Sequence, residues 1–332
     1  MSAKSQRQSY WRIVFRQFRR HRMGVVSCIF LALMFVTALA APFLAGDRPI
    51  YLRLGDETYL FPNVFKYKDL VDIQFDRWSP GPGDYALRPP IPFAPDRNNL
   101  RNRLMPPGDG HWLGTDDTGR DVLSRLIWGT RISISVGFLA VGVSLVLGVI
   151  MGAAAGYYRG ATDVVVLRII ETMMCFPDLV LILALIAYLG RSIWIVVIVI
   201  GVIRAPNVAR LVRGEFLKLR ESDFATAARA SGFSDMRIMF RHLLPNSLAP
   251  VFVNATFGVA GAILVESSLS FLGLGVPPPT ASWGEILSQS KRYVDSAWWL
   301  VTFPGAAIFV TVTAFNLVGE GLRDAMDPRL RQ

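Results

Sequence analysis

Six stretches of this chain are long and apolar enough to cross a lipid bilayer, and no other property limits its fold as tightly. A hydrocarbon core about 30 Å thick takes roughly 20 helical residues to span. Inside it only helices and closed barrels satisfy every backbone polar group. The runs are 24–45, 132–156, about 164–189, Ser192 to about Val212, 247–272 and about 298–320. Charged residues make up 18% of the 332 residues, against about 25% in soluble domains. The expectation is an all-α polytopic membrane protein with six transmembrane helices. Its third run contains Arg168, Glu171 and Asp178, its fourth is interrupted by Arg204 and Pro206, and its sixth opens on Trp298-Trp299 as an interfacial anchor.

The net charge of +10 is unevenly placed. Residues 1–23 hold seven basic side chains (Lys4, Arg7, Arg12, Arg16, Arg19, Arg20, Arg22) and no acid; residues 204–246 hold eight basic against four acidic; residues 46–131 hold twelve of each. Lys and Arg concentrated in particular loops are the topology signature of membrane proteins, so the charge reads as orientation and not as a nucleic-acid surface. Placing 1–23 in the cytoplasm puts 46–131 and 273–297 outside, and 204–246 and the C-terminal 321–332 inside. Arg191, in a very short external loop, is the exception. The first run is longer than the 7–15 residues of a signal-peptide core, so it reads as an uncleaved anchor.

Outside the spans, residues 46–113 are rich in Pro, Gly and aromatics, a composition for an extended or β-containing insert. YLRL and TYLF are its candidate strands. Residues 114–131 read as a short amphipathic helix, with Val122, Leu123, Leu126 and Ile127 on one face, suited to the outer membrane surface. Cys28 and Cys175 sit inside apolar runs and read as small buried hydrophobes. No phosphate-binding loop, H-E-x-x-H, G-x-S-x-G or Cys/His metal spacing occurs, so neither ATP hydrolysis through a P-loop nor a recognised catalytic set is expected of the chain. Ionisable residues at membrane depth are functional candidates. Here they are Arg168 and Glu171, three apart on one helix face and able to pair, together with Asp178 and with Glu266, the last near the external end of the fifth run and within reach of the interface.

The most informative segment is 221–246, ESDFATAARASGFSDMRIMFRHLLPN. Alanines at 225, 227, 228 and 230 predict a short helix stopped by Gly232; a second helical piece, Ser234–Leu244, ends at Pro245, with Ser234-Asp235 as its N-cap. Met236, Ile238, Met239, Phe240, Leu243 and Leu244 supply hydrophobic anchors. Such a knob fits either a groove on a cytoplasmic partner or the chain's own membrane domain.

The spacing Ala227-Ala228, three residues, Gly232, nine residues, His242, one residue, Leu244-Pro245 resembles the EAA loop of binding-protein-dependent ABC transporter permeases. Thr226 stands where that motif usually has glutamate, with Asp223 as a nearby carboxylate, and His242 where isoleucine is common. The stretches HWLGTD (111–116), GRDVLSR (119–125), GTRIS (129–133), FLGLG (271–275), WGE (283–285) and GLRDAMDPR (321–329) resemble the second permease of oligopeptide and dipeptide importers. The start of the insert, 47–63, looks like a subgroup associated with microcin C and longer peptides.

The resemblance implies a six-span permease that passes peptides across a bacterial inner membrane and binds no cofactor itself. It also implies a second permease, two cytoplasmic ATPase subunits that use ATP and Mg, and an extracytoplasmic solute-binding protein. The implied coupling residues are Asp223, Ala227, Ala228, Gly232, His242, Leu244 and Pro245. Nickel or another small solute is an alternative cargo within the family. A secondary transporter would need intramembrane ion-coupling groups and repeated, broken helices, which the sparse charge does not suggest.

Overall fold

The computed structural model describes residues 10–75, 78–81, 83–108 and 110–326. A short helix, α1 (Tyr10–Phe18), precedes α2 (Arg22–Leu44). The insert follows, with β1 (Tyr51–Leu54), β2 (Glu57–Leu60) and β3 (Tyr85–Leu87). Then come α3 (Val122–Tyr158), α4 (Gly160–Met174), α5 (Asp178–Leu189), α6 (Ile193–Arg220) and α7 (Asp223–Ala230). One turn, α8 (Asp235–Arg237), runs through a π-helical segment (Ile238–Leu243) into α9 (Leu244–Phe271); α10 (Trp283–Gln289) and α11 (Trp299–Met326) follow. Among the described residues, five helices are long and apolar enough to span a membrane, and six crossings result if α4 and α5 count as one.

The third crossing is not a single helix. Cys175-Phe176 leave the helical path, and α5 restarts after Pro177 at 85° to α4. Proline lacks an N–H and disfavours helical geometry at the residue before it, so Phe176 cannot continue α4. The fourth run, in contrast, is unbroken. Helix α6 passes through Arg204 and Pro206 and continues to Arg220, so the loop after it begins about sixteen residues later than the charge pattern implied. At the fifth crossing, Pro245 does not end the helix either. The Leu244 N–H bonds to the Met239 carbonyl five residues back, a π geometry that carries the chain past the proline.

The seam between α3 and α6 is set by small residues. Gly148, Gly152 and Gly156 recur every fourth residue along α3, the small-xxx-small pattern that lets membrane helices approach closely. A Cβ on Gly148 would stand 2.5 Å from the Val208 Cβ, and one on Gly156 would stand 2.6 Å from the Phe216 Cβ. From the other side, Gly201 of α6 meets Val143 equally closely. Around this pair α9, α11 and α2 pack through Val136, Ile200, Val259, Ile263 and Phe315.

The insert is a three-stranded antiparallel sheet, order β2-β1-β3, over Leu52, Tyr59, Leu70 and Phe75. YLRL is strand β1 as expected, and TYLF is displaced by one residue from β2. The chain leaves α2 at Ala45 and returns beside it at Ile91 (Gly46 N to Ile91 O, 3.0 Å; Ile91 N to Leu44 O, 3.1 Å), so the excursion begins and ends at one place.

Residues 114–131 do not form a surface helix. Residues 114–121 are loop, and from Val122 the chain is the N-terminal end of α3, which at 37 residues is about 55 Å long. Cys28 and Cys175 are exposed, not buried, because the outward side of a spanning helix is itself apolar. Trp298 is exposed but Trp299 is buried, its Nε1 donating to the Thr115 carbonyl at 3.0 Å. Gly152→Val should drive apart the α3–α6 seam at a cost of about 1–3 kcal/mol or more, read as a lower melting temperature of the purified protein; Gly142→Val, where a Cβ meets nothing within 4 Å, should leave it nearly unchanged.

Candidate functional site

Helix α7 packs against the C-terminal end of α6. Its N-terminus starts after extended Ser222, and its buried residues are Ala225 and Ala228. These two alanines join Val212 and Phe216 of α6 and Ile238, Met239 and Leu243 of the π segment in one apolar cluster. The opposite face (Asp223, Phe224, Thr226, Ala227, Ala230) is exposed. Gly232 closes the helix at φ +76° in open space, the left-handed turn that glycine takes at least cost.

The residues after it fasten the knob. Phe233 is sandwiched between the Arg237 guanidinium, 4.1 Å from its centroid, and the His242 ring, stacked at 5.7 Å with an 8° interplanar angle. His242 therefore packs flat, where an aliphatic side chain would fill the same place. Tyr157 of α3 donates to Asp235 at 2.6 Å, and Arg213 makes a two-pronged contact with Asp163 at 2.5 and 2.7 Å. Ser234 has the extended geometry of an N-cap, but its side chain makes no capping hydrogen bond. The hydrophobic anchors divide: Ile238, Met239 and Leu243 are buried in the chain's own core, while Met236 and Phe240 remain outside. Leu244 is half-buried and Pro245 exposed.

The membrane-depth candidates are not assembled into one site. Arg168 and Glu171 pair with each other at 3.0 Å on the exposed side of α4. Glu266 does not reach an interface. It is fully buried, accepting from Ser270 Oγ at 2.8 Å and Ser133 Oγ at 3.4 Å, so it ties α9 to α3. The sequence offered no sign of this enclosure, because the serines lie on separate helices and α10 closes over them through Trp283.

The loop 111–121 assembles a buried ionic cluster. Asp116 accepts from the Arg120 Nε at 2.7 Å and from the backbone N–H groups of Thr118 and Arg120, and Arg125 Nη1 lies 3.1 Å away. Arg125 also pairs with Glu285 of α10. Next to this, His111 Nδ1 meets Asp121 at 2.9 Å, and the other Asp121 oxygen caps α3 by accepting from Ser124 N–H at 2.7 Å. The polar side of the expected surface helix is thus the side facing inward. Burial alone would raise the Asp116 pKa, but the two guanidinium groups and the backbone donors hold it below the ordinary carboxylate range. Among the described residues no group of three or more His, Cys, Asp or Glu is placed to hold a metal ion.

Comparison with known proteins places this architecture. Residues 144–332, more than half of the chain, match the family described as binding-protein-dependent transport system inner membrane component, and residues 9–60 match the N-terminal transmembrane domain of oligopeptide transport permease C. The dipeptide transport system permease protein DppC of Alkalihalophilus pseudofirmus is 37% identical over 323 residues, covering 97% of this chain and 91% of that protein. A putative peptide transport system permease of Brucella suis is 45% identical over 237 residues, 71% of this chain and 80% of that one. The glutathione transport system permease protein GsiD of Pectobacterium atrosepticum is 35% identical over 321 residues, 97% and 92% of the two chains. In fold, the chain is similar to the inward-facing MetNI methionine ABC transporter (TM-score 0.50, 20% identity, 61% of this chain and 95% of that one).

The molecule is a membrane permease subunit of an ABC importer, and a non-catalytic one. It belongs to the binding-protein-dependent transport system inner membrane component family.

Arg125→Met should leave Asp116 and Glu285 short of a partner and cost about 3–5 kcal/mol, the usual result of breaking a buried pair; thermal unfolding of the purified protein measures it. Because Asp116 is depressed, its contribution is present above the ordinary aspartate value and is lost only as pH falls below it. The Arg125→Met deficit should therefore be constant from pH 7 to about 5.

Proposed function

We propose that the chain is one half of a permease heterodimer that passes peptides across a bacterial inner membrane. A second homologous permease is its membrane partner. Two cytoplasmic ATPase subunits supply the energy with ATP and Mg, and an extracytoplasmic binding protein delivers the cargo. Relatives named for dipeptides, peptides and glutathione favour peptide cargo over nickel. The longer-peptide or microcin C subgroup suggested by the insert belongs to this same reading.

In this reading the N-terminus and C-terminus lie in the cytoplasm. Six crossings put both ends on one side, and the basic 1–23 segment marks that side as internal. The insert and the ionic cluster then face outward toward the binding protein.

The observation that carries the proposal is the shape of α7. Ala225 and Ala228 seat the helix on α6, leaving Asp223, Thr226, Ala227 and the Gly232 turn as a small-residue surface for a partner. Closure of the ATPase pair would push this surface, and the cluster with Val212 and Phe216 would carry the push into α6. A rigid seat suffices for the task, and no reactive side chain is needed. Thr226 contributes no carboxylate, which leaves Asp223 as the acid of the docking face. Arg168, Glu171 and Glu266 take structural roles here, the first two as an exposed pair and the third as a buried tie.

Gly232→Asp puts a charge on the docking turn and should leave the assembled complex intact while reducing transport by about 5- to 150-fold, the span of ordinary coupling energies. ATP-driven uptake in proteoliposomes measures it, and normal uptake would remove the loop from the coupling role. Replacing 51–87 with a short Gly-Ser linker should preserve the membrane core, because the insert leaves and rejoins at one place, and should weaken association with the binding protein. The cut must stop short of 99–105, which are bonded to 115–118 (Leu104 N to Asp116 O, 3.0 Å). Unchanged association in a pull-down would rule out the contact role.

A further inference from the structure

Arg204 is the one strongly basic side chain placed deep in a crossing without a described ion-pair partner. It lies eleven residues after Ile193, about 16 Å along α6 and thus near the middle of a hydrocarbon core about 30 Å thick. Its Nε is buried with no hydrogen-bond partner. The carboxylate whose charge acts on it is Asp178, at the first turn of α5, and no described carboxylate comes within ion-pair distance. Its guanidinium occupies the space a side chain at Gly261 would fill, so α9 leaves room for it.

Arg204 also lines a cavity of about 220 Å³ between α3, α6 and α9. The other polar groups there are the Ser144 hydroxyl and the amides of Asn207 and Asn254; the remainder of the wall is Ala, Val, Ile, Leu, Phe and Gly. That volume equals roughly seven waters at liquid density. It suits the end of a chain and is too small for a whole oligopeptide.

An isolated guanidinium at mid-membrane costs several kcal/mol and marks a pathway or a counter-ion site. A planar fork beside amide groups matches one chemical end in particular. A carboxylate accepts from the guanidinium, and the adjoining peptide N–H and C=O meet amide oxygen and nitrogen. We propose that Arg204, with Asn207 and Asn254, forms a mid-membrane station for the C-terminal carboxylate of the transported peptide. The inference rests on the peptide reading given above.

The test uses the assembled transporter in nanodiscs, with Cys28 and Cys175 replaced by serine and Ala255→Cys, on the wall of the same cavity, as reporter. Labelling of this chain by an anionic and by a cationic methanethiosulfonate is followed by mass spectrometry, alone and with a free-carboxylate or C-terminally amidated peptide. The anionic reagent should react at least about tenfold faster, as a focused positive field requires. Arg204→Gln should bring the ratio close to one, Arg204→Lys should keep most of it, and the free-carboxylate peptide alone should slow labelling. A ratio untouched by Arg204→Gln, or no labelling at all, overturns the site. Loss of the second permease from the Arg204→Gln complex overturns it also, by assigning the guanidinium to a partner carboxylate. An Arg204-dependent preference with no protection by either peptide overturns the proposal as stated, leaving an anion site and removing the peptide reading.

Discussion

The close approach of α3 and α6 is the contact on which the remainder of the molecule depends. Between membrane helices there is no hydrophobic drive to association, because lipid tails are as apolar as side chains. Packing at short range must supply it, and Gly148, Gly152, Gly156 and Gly201 make that range possible. The two helices extend beyond the seam at opposite ends. Helix α3 continues to Val122 and the ionic cluster, and α6 continues to Arg220 and the α7 knob. A closely packed pair of this kind joins the two ends of the molecule without a loop between them.

The charged groups divide by where water is absent. Asp116, Arg120 and Arg125 are buried at the N-terminal end of α3 with the half-buried Glu285 beside them, and each charge has a partner. Pairing is required there, since a lone buried charge costs far more than the pair returns. Together with Trp299 and the capped start of α3, the cluster fastens α10 and the start of α11 to the N-terminal end of α3. Glu266 solves the same problem differently, with serine hydroxyls in place of a cation.

Much of this was legible in the sequence, for a physical reason. Spanning is a local property of composition, so the apolar runs marked the crossings, and the strand YLRL and the helix at Ala225–Ala230 followed from equally local signals. What failed was non-local. The periodicity of 122–127 was read as a membrane-facing surface because Glu285, the partner of Arg125, is 160 residues away. Proline was misjudged in three places: Pro177 breaks the third crossing, whereas Pro206 and Pro245 are carried inside helices. Membrane helices tolerate proline when neighbouring groups and local π geometry absorb the lost bond, and a sequence does not disclose those neighbours. The four-residue glycine spacing in α3 was visible, but its meaning depended on knowing that α6 lies against it. The spacing of 227–245 marked the loop as a segment of interest; the stacking of His242 on Phe233 was not visible in it.

The central claim is that α3 and α6 move as one body between the ionic cluster and the α7 knob. It is tested most directly by pulsed electron–electron resonance between spin labels on exposed positions of the two helices, Ile150 and Val202, in the assembled transporter. Distances would be compared with and without trapped ATP. The account predicts one distribution, unchanged between the two states. A shifted or split α3–α6 distance on ATP binding would contradict it, because the push on α7 would then be lost within the seam.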